Sequence, residues 1–396
     1  MPEAVIVSAA RTPIGRANKG ALKAVRADDL GAVAVRGALS RLPAFDYTQI
    51  EDVIIGCAFP EAEQGLNVAR IITGLVGLPT TAGAVTVNRF CASSLQAVNM
   101  GAQSIMLGQG DIFVAGGVEN MSRVPMGGFN PSFNPKLYNN PNGVEACGLP
   151  GEMTTAFGEA YIPMGMTAEN LAKKYSVSRE EQDRFALRSH KLAIAAQDAG
   201  ILAREIVPVD LPDGTQMTQD EGPRRDTSLE RLAALEPAFI AGGSVTAGNS
   251  SPLNDGASSV ILMSAEKARA LGIKPRARVI SMAVAGVAPE IMGIGPVPAV
   301  RKALQRAGLQ LSDIDVIELN EAFAAQSLAV VRELGIDLDK LNPHGAAIAL
   351  GHPLGCTGAR IVGALVNDLE TLDKRLGIAT LCVGGGQGVA TIIERL

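Results

Sequence analysis

Ala34-Val-Arg-Gly-Ala-Leu-Ser-Arg41 returns near the other end of the chain as Ala299-Val-Arg-Lys-Ala-Leu-Gln-Arg306, identical at six of eight positions. Each copy is followed by Asp-Val-Ile, at Asp52 and again at Asp315, and the separation changes from 265 to 263 residues, as a two-residue loop difference would produce. One octamer can recur by chance, but an octamer and a strand pattern in the same order argue for duplication. The chain therefore reads as two related α/β halves.

Working outward, each half alternates helical patterns with apolar runs at 53–55, 112–115, 316–319 and 378–383. Runs this uniformly apolar predict strands covered on both faces, hence sheets between layers of helices. Between the halves the texture changes. Residues 130–150 are rich in Asn, Pro and Gly, which predicts a long excursion. Ser178-Arg-Glu-Glu181 forms a capping box opening a helix that reaches Ala199 and stops at Gly200. We divide the chain into an N-terminal half (1–122 plus 252–273), an inserted, mostly helical loop domain (123–251) and a C-terminal half (274–396).

Composition narrows the function. With 396 residues there is ample core for two or three domains. Aromatics are only 4% and Gly numbers 44, so the core is built from small aliphatic residues with close backbone approach. A net charge of −5 with no basic stripe argues against nucleic acid as a partner. No stretch approaches the ~18 apolar residues of a membrane span, and the N-terminus runs straight into a strand pattern, so a cytoplasmic protein is expected. The cysteines at 57, 91, 147, 356 and 382 contain no CxxC, and the only histidines are 190, 344 and 352, which supplies a metal site poorly.

Cys91 stands where Leu95, Val98, Ala102 and Ile105 begin an apolar helical stripe, which puts its thiol at the positive end of a buried helix. That field is worth ~0.3–1 kcal/mol, whereas one pKa unit needs ~1.4 kcal/mol. The dipole alone leaves a thiol of ordinary pKa protonated at neutral pH, so a base is needed. His352, between glycines in Gly351-His-Pro-Leu-Gly-Cys-Thr-Gly358, is the candidate; a satisfied structural histidine is the alternative. His190, in the charged run Arg188-Ser-His-Lys191, is expected to be solvated. Cys382 ends an apolar strand before Gly384, Gly385 and Gly386; the chain leaves no room for a nucleotide-binding βαβ unit there, so the run reads as a turn offering N–H groups to a reacting oxygen. Asn320 follows the strand at 316–319, at the end where α/β proteins bind ligands, though Asn there is often only a turn former.

Taken together, Arg11-Thr-Pro13, NRFCASSLQA (88–97), AGGVENMS (115–122), MGMTAEN (164–170), TAGNSSPLNDGA (246–257), NEAFA (320–324), GHPLGCTGAR (351–360) and CVGGGQG (382–388) resemble the thiolase family along essentially the whole chain. The resemblance implies a five-layered αβαβα fold of two similar halves with a loop domain that binds coenzyme A. It implies Cys91 as the acylated nucleophile, His352 as its activator and Cys382 as the acid and base. Backbone N–H groups of Cys91 and Gly384 would form one oxyanion hole; His352 and a water held by Asn320 would form the second. Arg224, Phe239, Ala247, Ser251, Met164 and Phe323 would line the coenzyme A channel, with Arg224 alternatively a solvated charge.

The implied reaction is cleavage of 3-ketoacyl-CoA by CoA in fatty acid β-oxidation. Acetoacetyl-CoA cleavage, or a non-catalytic acyl-CoA carrier, are the alternatives. Coenzyme A would be a substrate and no cofactor permanently bound. A homodimer or homotetramer is implied, with a partner enzyme of β-oxidation as a further candidate. Pro163 stands where members specialised for acetoacetyl-CoA carry histidine, and His344 and Ala346 also depart from the family pattern. Labelled acyl-CoA is expected to mark Cys91, and Cys91→Ala to take no label, because no neighbouring group replaces the thiol. Peptide mapping decides this: label on Cys57, Cys147 or Cys356 overturns the assignment.

Overall fold

The computed structural model describes residues 2–138 and 159–396. From position 139 onward the predicted excursion at 130–150, with Cys147, lies outside the described residues. In chain order the principal elements are β1 (Ala4–Arg11), α1 (Ala27–Ser40), β2 (Asp52–Gly56), α2 (Val68–Val76), β3 (Gly83–Val87), α3 (Ser93–Met106) and β4 (Ile112–Asn120). Next come α4 (Met164–Lys174) and α5 (Arg179–Asp198), then β5 (Asn254–Ser264) and β6 (Ala277–Gly286). The chain ends with α6 (Pro296–Ala307), β7 (Val316–Leu319), α7 (Ala324–Leu334), α8 (Leu354–Thr371), β8 (Leu376–Val383) and β9 (Gln387–Arg395).

The strands run β3-β2-β4-β5-β1 in one half and β7-β8-β9-β6 in the other. Strip the extra edge strand β3 and the two orders coincide. In each half an outer parallel pair (β2 with β4; β7 with β8) adjoins antiparallel partners (β5 and β1; β9 and β6). The half-sheets meet through only two residue pairs of β1 and β6, Val5 with Arg278 and Ile6 with Ala277. Duplication is thus visible in topology as well as in the octamers, which fall in α1 and α6.

Three apolar cores separate the layers. Ala34, Val35, Ala38 and Leu39 of α1 pack on one face of the first half-sheet. Their counterparts Ala299, Val300, Ala303 and Leu304 of α6 pack on one face of the second. Between the half-sheets, Leu95, Val98, Ala102 and Ile105 of α3 meet Ile361, Val362 and Leu365 of α8. Helix, sheet, helix, sheet, helix is the five-layered arrangement, and it explains why the strands carry apolar residues on both faces. α5 opens with the capping box, Ser178 Oγ accepting from the Glu181 N–H and Glu181 accepting from the Ser178 N–H, and Gly200 stops it at φ +73°.

The central helices cross at backbone contact. A Cβ added at Gly358 of α8 would lie 2.1 Å from the Leu95 nitrogen, and one at Gly117 of β4 would lie 2.0 Å from the Gly355 carbonyl oxygen. Gly56, at the end of β2, faces the Ser94 nitrogen in the same way, with a Cβ there at 2.3 Å. These glycines bring the N-termini of α3 and α8 together over the ends of β2 and β4. Gly358→Ala is therefore expected to cost about 3 kcal/mol, the upper end for overpacking, because the obstruction is backbone. Gly74→Ala in α2, with open space around it, should stabilise by about 0.5–1 kcal/mol. Thermal unfolding of the two variants side by side checks this; equal midpoints contradict the close-contact reading.

Candidate active site

Cys91 sits in a single 3-10 turn, Phe90–Ala92, that feeds directly into α3. The turn is sharp enough to hold Phe90 at φ +42°, a strained conformation for a bulky aromatic residue. Local hydrogen bonds keep it there: Asn88 Oδ1 accepts the Phe90 N–H at 2.8 Å, and Ser93 Oγ donates to the Phe90 carbonyl at 2.6 Å. Across from it, β8 and β9 are joined through Gly385 and Gly386 at φ +75° and +85°, a turn that favours glycine. This turn places Gly384 on the wall of the same cavity as Cys91. Burial pushes the Cys91 thiol up to about 11, and the Gly384 N–H offsets part of that. Cys382, fully buried at the end of β8, is pushed higher by burial and then by its neighbour Cys91.

His352 is buried two residues before α8 begins. Its Nδ1 lies 2.6 Å from Thr357 Oγ1, and that hydroxyl donates to the Pro353 carbonyl at 2.8 Å. The hydroxyl proton being committed, Nδ1 carries the ring proton and Nε2 is the acceptor. Asn320 Nδ2 then donates to Nε2 at 3.2 Å. Burial, and next the charge of Arg360, pull the imidazole down to about 3, so it is neutral. Asn254 Oδ1 holds the His352 backbone N–H at 2.9 Å. Asn320 Oδ1 is buried and, among the described residues, has no partner.

Three residues for which the sequence suggested no role hold this assembly. Thr357 sets the histidine tautomer and Asn254 anchors its backbone. Glu119, fully buried, accepts from the N–H groups of Ala58 at 2.8 Å, Phe59 at 3.2 Å and Gly355 at 2.8 Å, tying the loop after β2 to the start of α8. Each lies inside a quoted motif, but an acceptor for distant backbone groups leaves no periodic signal.

Cys91, Gly384, Pro163 and Met164 line a cavity of about 450 Å³ whose walls include Phe59 and Leu354. Met164 also packs with Phe323 and Cys382. Phe323 meets Phe239 edge-on, with ring centroids 6.0 Å apart, and the Ser251 N–H donates to the Ala322 carbonyl at 3.0 Å. These residues form a continuous neighbourhood beside the cysteines. Arg224 and Ala247 do not line the cavity; both are exposed. His190, expected to be solvated, is buried: it lies on the inner face of α5, where its Nδ1 accepts the Arg224 backbone N–H at 3.2 Å. Charged neighbours in sequence misled because they occupy the opposite side of the helix. His344 bonds Asp368 at 2.5 Å, away from these residues. Among the described residues no group of His, Cys, Asp and Glu could hold a metal ion, and no helix is long and apolar enough to cross a membrane.

A duplicated α/β fold that sets a cysteine and a neutral histidine at the starts of its two touching central helices, with a second cysteine at a strand end beside the first, fits a class of thiol-dependent acyltransferases. Family models agree, with "Thiolase, N-terminal domain" matching residues 4–266 and "Thiolase, C-terminal domain" matching residues 273–395. The chain belongs to the thiolase family. It is 50% identical to a 3-ketoacyl-CoA thiolase of Bacillus subtilis and 51% identical to one of a Shewanella species, in both cases over 100% of either chain. Among solved structures it resembles human mitochondrial 3-ketoacyl-CoA thiolase (TM-score 0.88, 39% identity) and the Bacillus anthracis acetyl-CoA acetyltransferase (TM-score 0.87, 42% identity). Each comparison covers 100% of this chain and 99% of the other.

Because the thiol is raised and the imidazole lowered, Cys91 and His352 are expected to rest as a neutral pair. Thiolate ultraviolet absorbance, taken as the difference between wild type and Cys91→Ser, should be absent at neutral pH and appear only toward the thiol's value of about 11. A thiolate signal at neutral pH contradicts the neutral pair.

Proposed function

We propose that the protein cleaves 3-ketoacyl-CoA with CoA, giving acetyl-CoA and an acyl-CoA two carbons shorter, as in fatty acid β-oxidation. The observation that carries this reading is that Cys91 and Gly384 line one apolar cavity of about 450 Å³. His352 Nε2, exchanging the Asn320 N–H for the Cys91 proton, acts as the base while sulfur attacks the 3-keto carbon. The N–H groups of Cys91 and Gly384 stabilise the oxygen that gains charge, a contribution of about 2.7–4 kcal/mol per donor in comparable sites. The bond between the second and third carbons then breaks. The departing enolate of acetyl-CoA is stabilised by His352 and a water accepted by the unpartnered Asn320 Oδ1, and it takes its proton from Cys382.

Cys382, now a thiolate, deprotonates the incoming CoA, whose sulfur attacks acyl-Cys91 and releases the shortened product. Protons balance over the cycle, since His352 returns its proton to Cys91. Cys382 acts in both directions, donating first and accepting later. CoA is thus a substrate, and the cycle needs no permanently bound cofactor. Phe239, Phe323, Met164 and Ser251 would guide its pantetheine arm, with Arg224 and Ala247 at its nucleotide end.

We further propose the three-part division of the chain given above, cytoplasmic residence and a homodimer or homotetramer. Supporting self-association, edge strand β3 is only half covered within one chain, and open edges are commonly paired or shielded. Acetoacetyl-CoA cleavage is a second reading, but its acyl group ends in one methyl beyond the keto carbon and gains least from the apolar wall. With rigid, apolar Pro163 on the wall, each buried methylene should add ~0.8 kcal/mol, about a four-fold gain in kcat/KM, until the cavity is full. Thiolysis rates across 3-ketoacyl-CoA chain lengths decide between the readings: acetoacetyl-CoA as best substrate overturns the first.

A further inference from the structure

The loop that carries Arg224 is built against the segment leading to His352. A Cβ at Gly222 would lie 2.0 Å from the Ala349 carbonyl oxygen, so this loop rests directly on the turn Ala347–Leu350 that precedes Gly351 and His352. α5 backs both pieces. Its Ser189 hydroxyl accepts the Ala346 N–H at 3.3 Å and donates to Glu321 at 2.6 Å, and a Cβ at Gly345 would lie 2.6 Å from the Ser189 carbonyl oxygen. The next residue, His190, turns to the loop and accepts the Arg224 N–H.

Arg224 itself is exposed and, among the described residues, its guanidinium forms no ion pair. Its neighbours Arg225 and Arg231 are occupied by Asp198 and Asp226. Arg224 is the cation of this loop left for an anionic ligand. A buried imidazole spent on one loop backbone group is a costly device unless that loop must be held in place.

We infer that His190 is a positioning residue that holds the Arg224 loop for the phosphate-bearing nucleotide end of CoA, through its Nδ1 acceptor. This rests on CoA being the thiol substrate, as proposed above. His190 serves only as the neutral imidazole, because Nδ1 of the protonated ring donates and cannot accept the Arg224 N–H. Burial, then Arg224 and Arg16, bring it down to about 4, so the bond persists at neutral pH.

The test is thiolysis by wild type, His190→Leu and His190→Asn with two substrate sets: 3-ketoacyl-CoA with CoA, and 3-ketoacyl-pantetheine with pantetheine, which lacks the nucleotide. His190→Leu should raise KM for CoA about five-fold, the loss of one hydrogen bond, with kcat and the pantetheine-substrate KM close to wild type. His190→Asn, whose amide oxygen can accept the same N–H, should recover most of the loss. An equal KM rise with both substrate sets, or none with either, overturns the inference. Failure of the wild type to cleave any 3-ketoacyl thioester would instead overturn the proposed function. Amide hydrogen exchange of the wild type needs no folded variant: Arg224 should exchange more slowly than Arg225 before CoA is added, and equal rates count against the inference.

Discussion

Everything at the active site depends on two central helices touching backbone to backbone. Where Gly358 of α8 meets the Leu95 nitrogen of α3, no side chain intervenes, and Gly355 is pressed as closely against the end of β4. Helices with ordinary side chains at their contact lie 8–10 Å apart; glycine at the crossing lets the N-termini converge further. Cys91 precedes one of those N-termini and His352 the other, so the placement of thiol relative to imidazole is set by the packing of the two helices. Glu119 completes the lock by satisfying N–H groups from both sides at once.

The same burial that fixes the geometry sets the electrostatics. A low-dielectric site disfavours every charge, raising both thiols and lowering the imidazole. The strained Phe90 and the left-handed Gly385 and Gly386 are local costs of presenting Cys91 to the Gly384 N–H, offset by the surrounding hydrogen bonds and core. Duplication supplies the frame: each half contributes one central helix, and the seam between the half-sheets is small because the cores above and below it carry the cohesion.

Helix α5 braces this frame from outside the two half-sheets. The buried face of α5, which includes Phe185, Ser189, His190 and Ala193, reaches both the loop of Arg224 and the segment before His352. One rigid element thus supports both the Arg224 loop and the segment leading to His352.

Local chemistry determined a good deal by itself. The octamers of α1 and α6, the apolar strands, the α5 capping box and the glycine stop at Gly200 all depend on neighbours within a few residues, and periodicity and capping are legible at that range. The order of Cys91, His352 and Cys382 was equally plain, because each stands beside a glycine turn or a helix start. What only the tertiary structure decided are the long-range terms. His190 reads as a surface residue from its charged neighbours, yet it faces inward because of the helix phase set by packing. The tautomer of His352 depends on Thr357 and Asn320, and the role of Glu119 depends on groups from both halves. Hydrogen bonds between residues distant in sequence leave no spacing to read, since their partners are chosen by the folded chain.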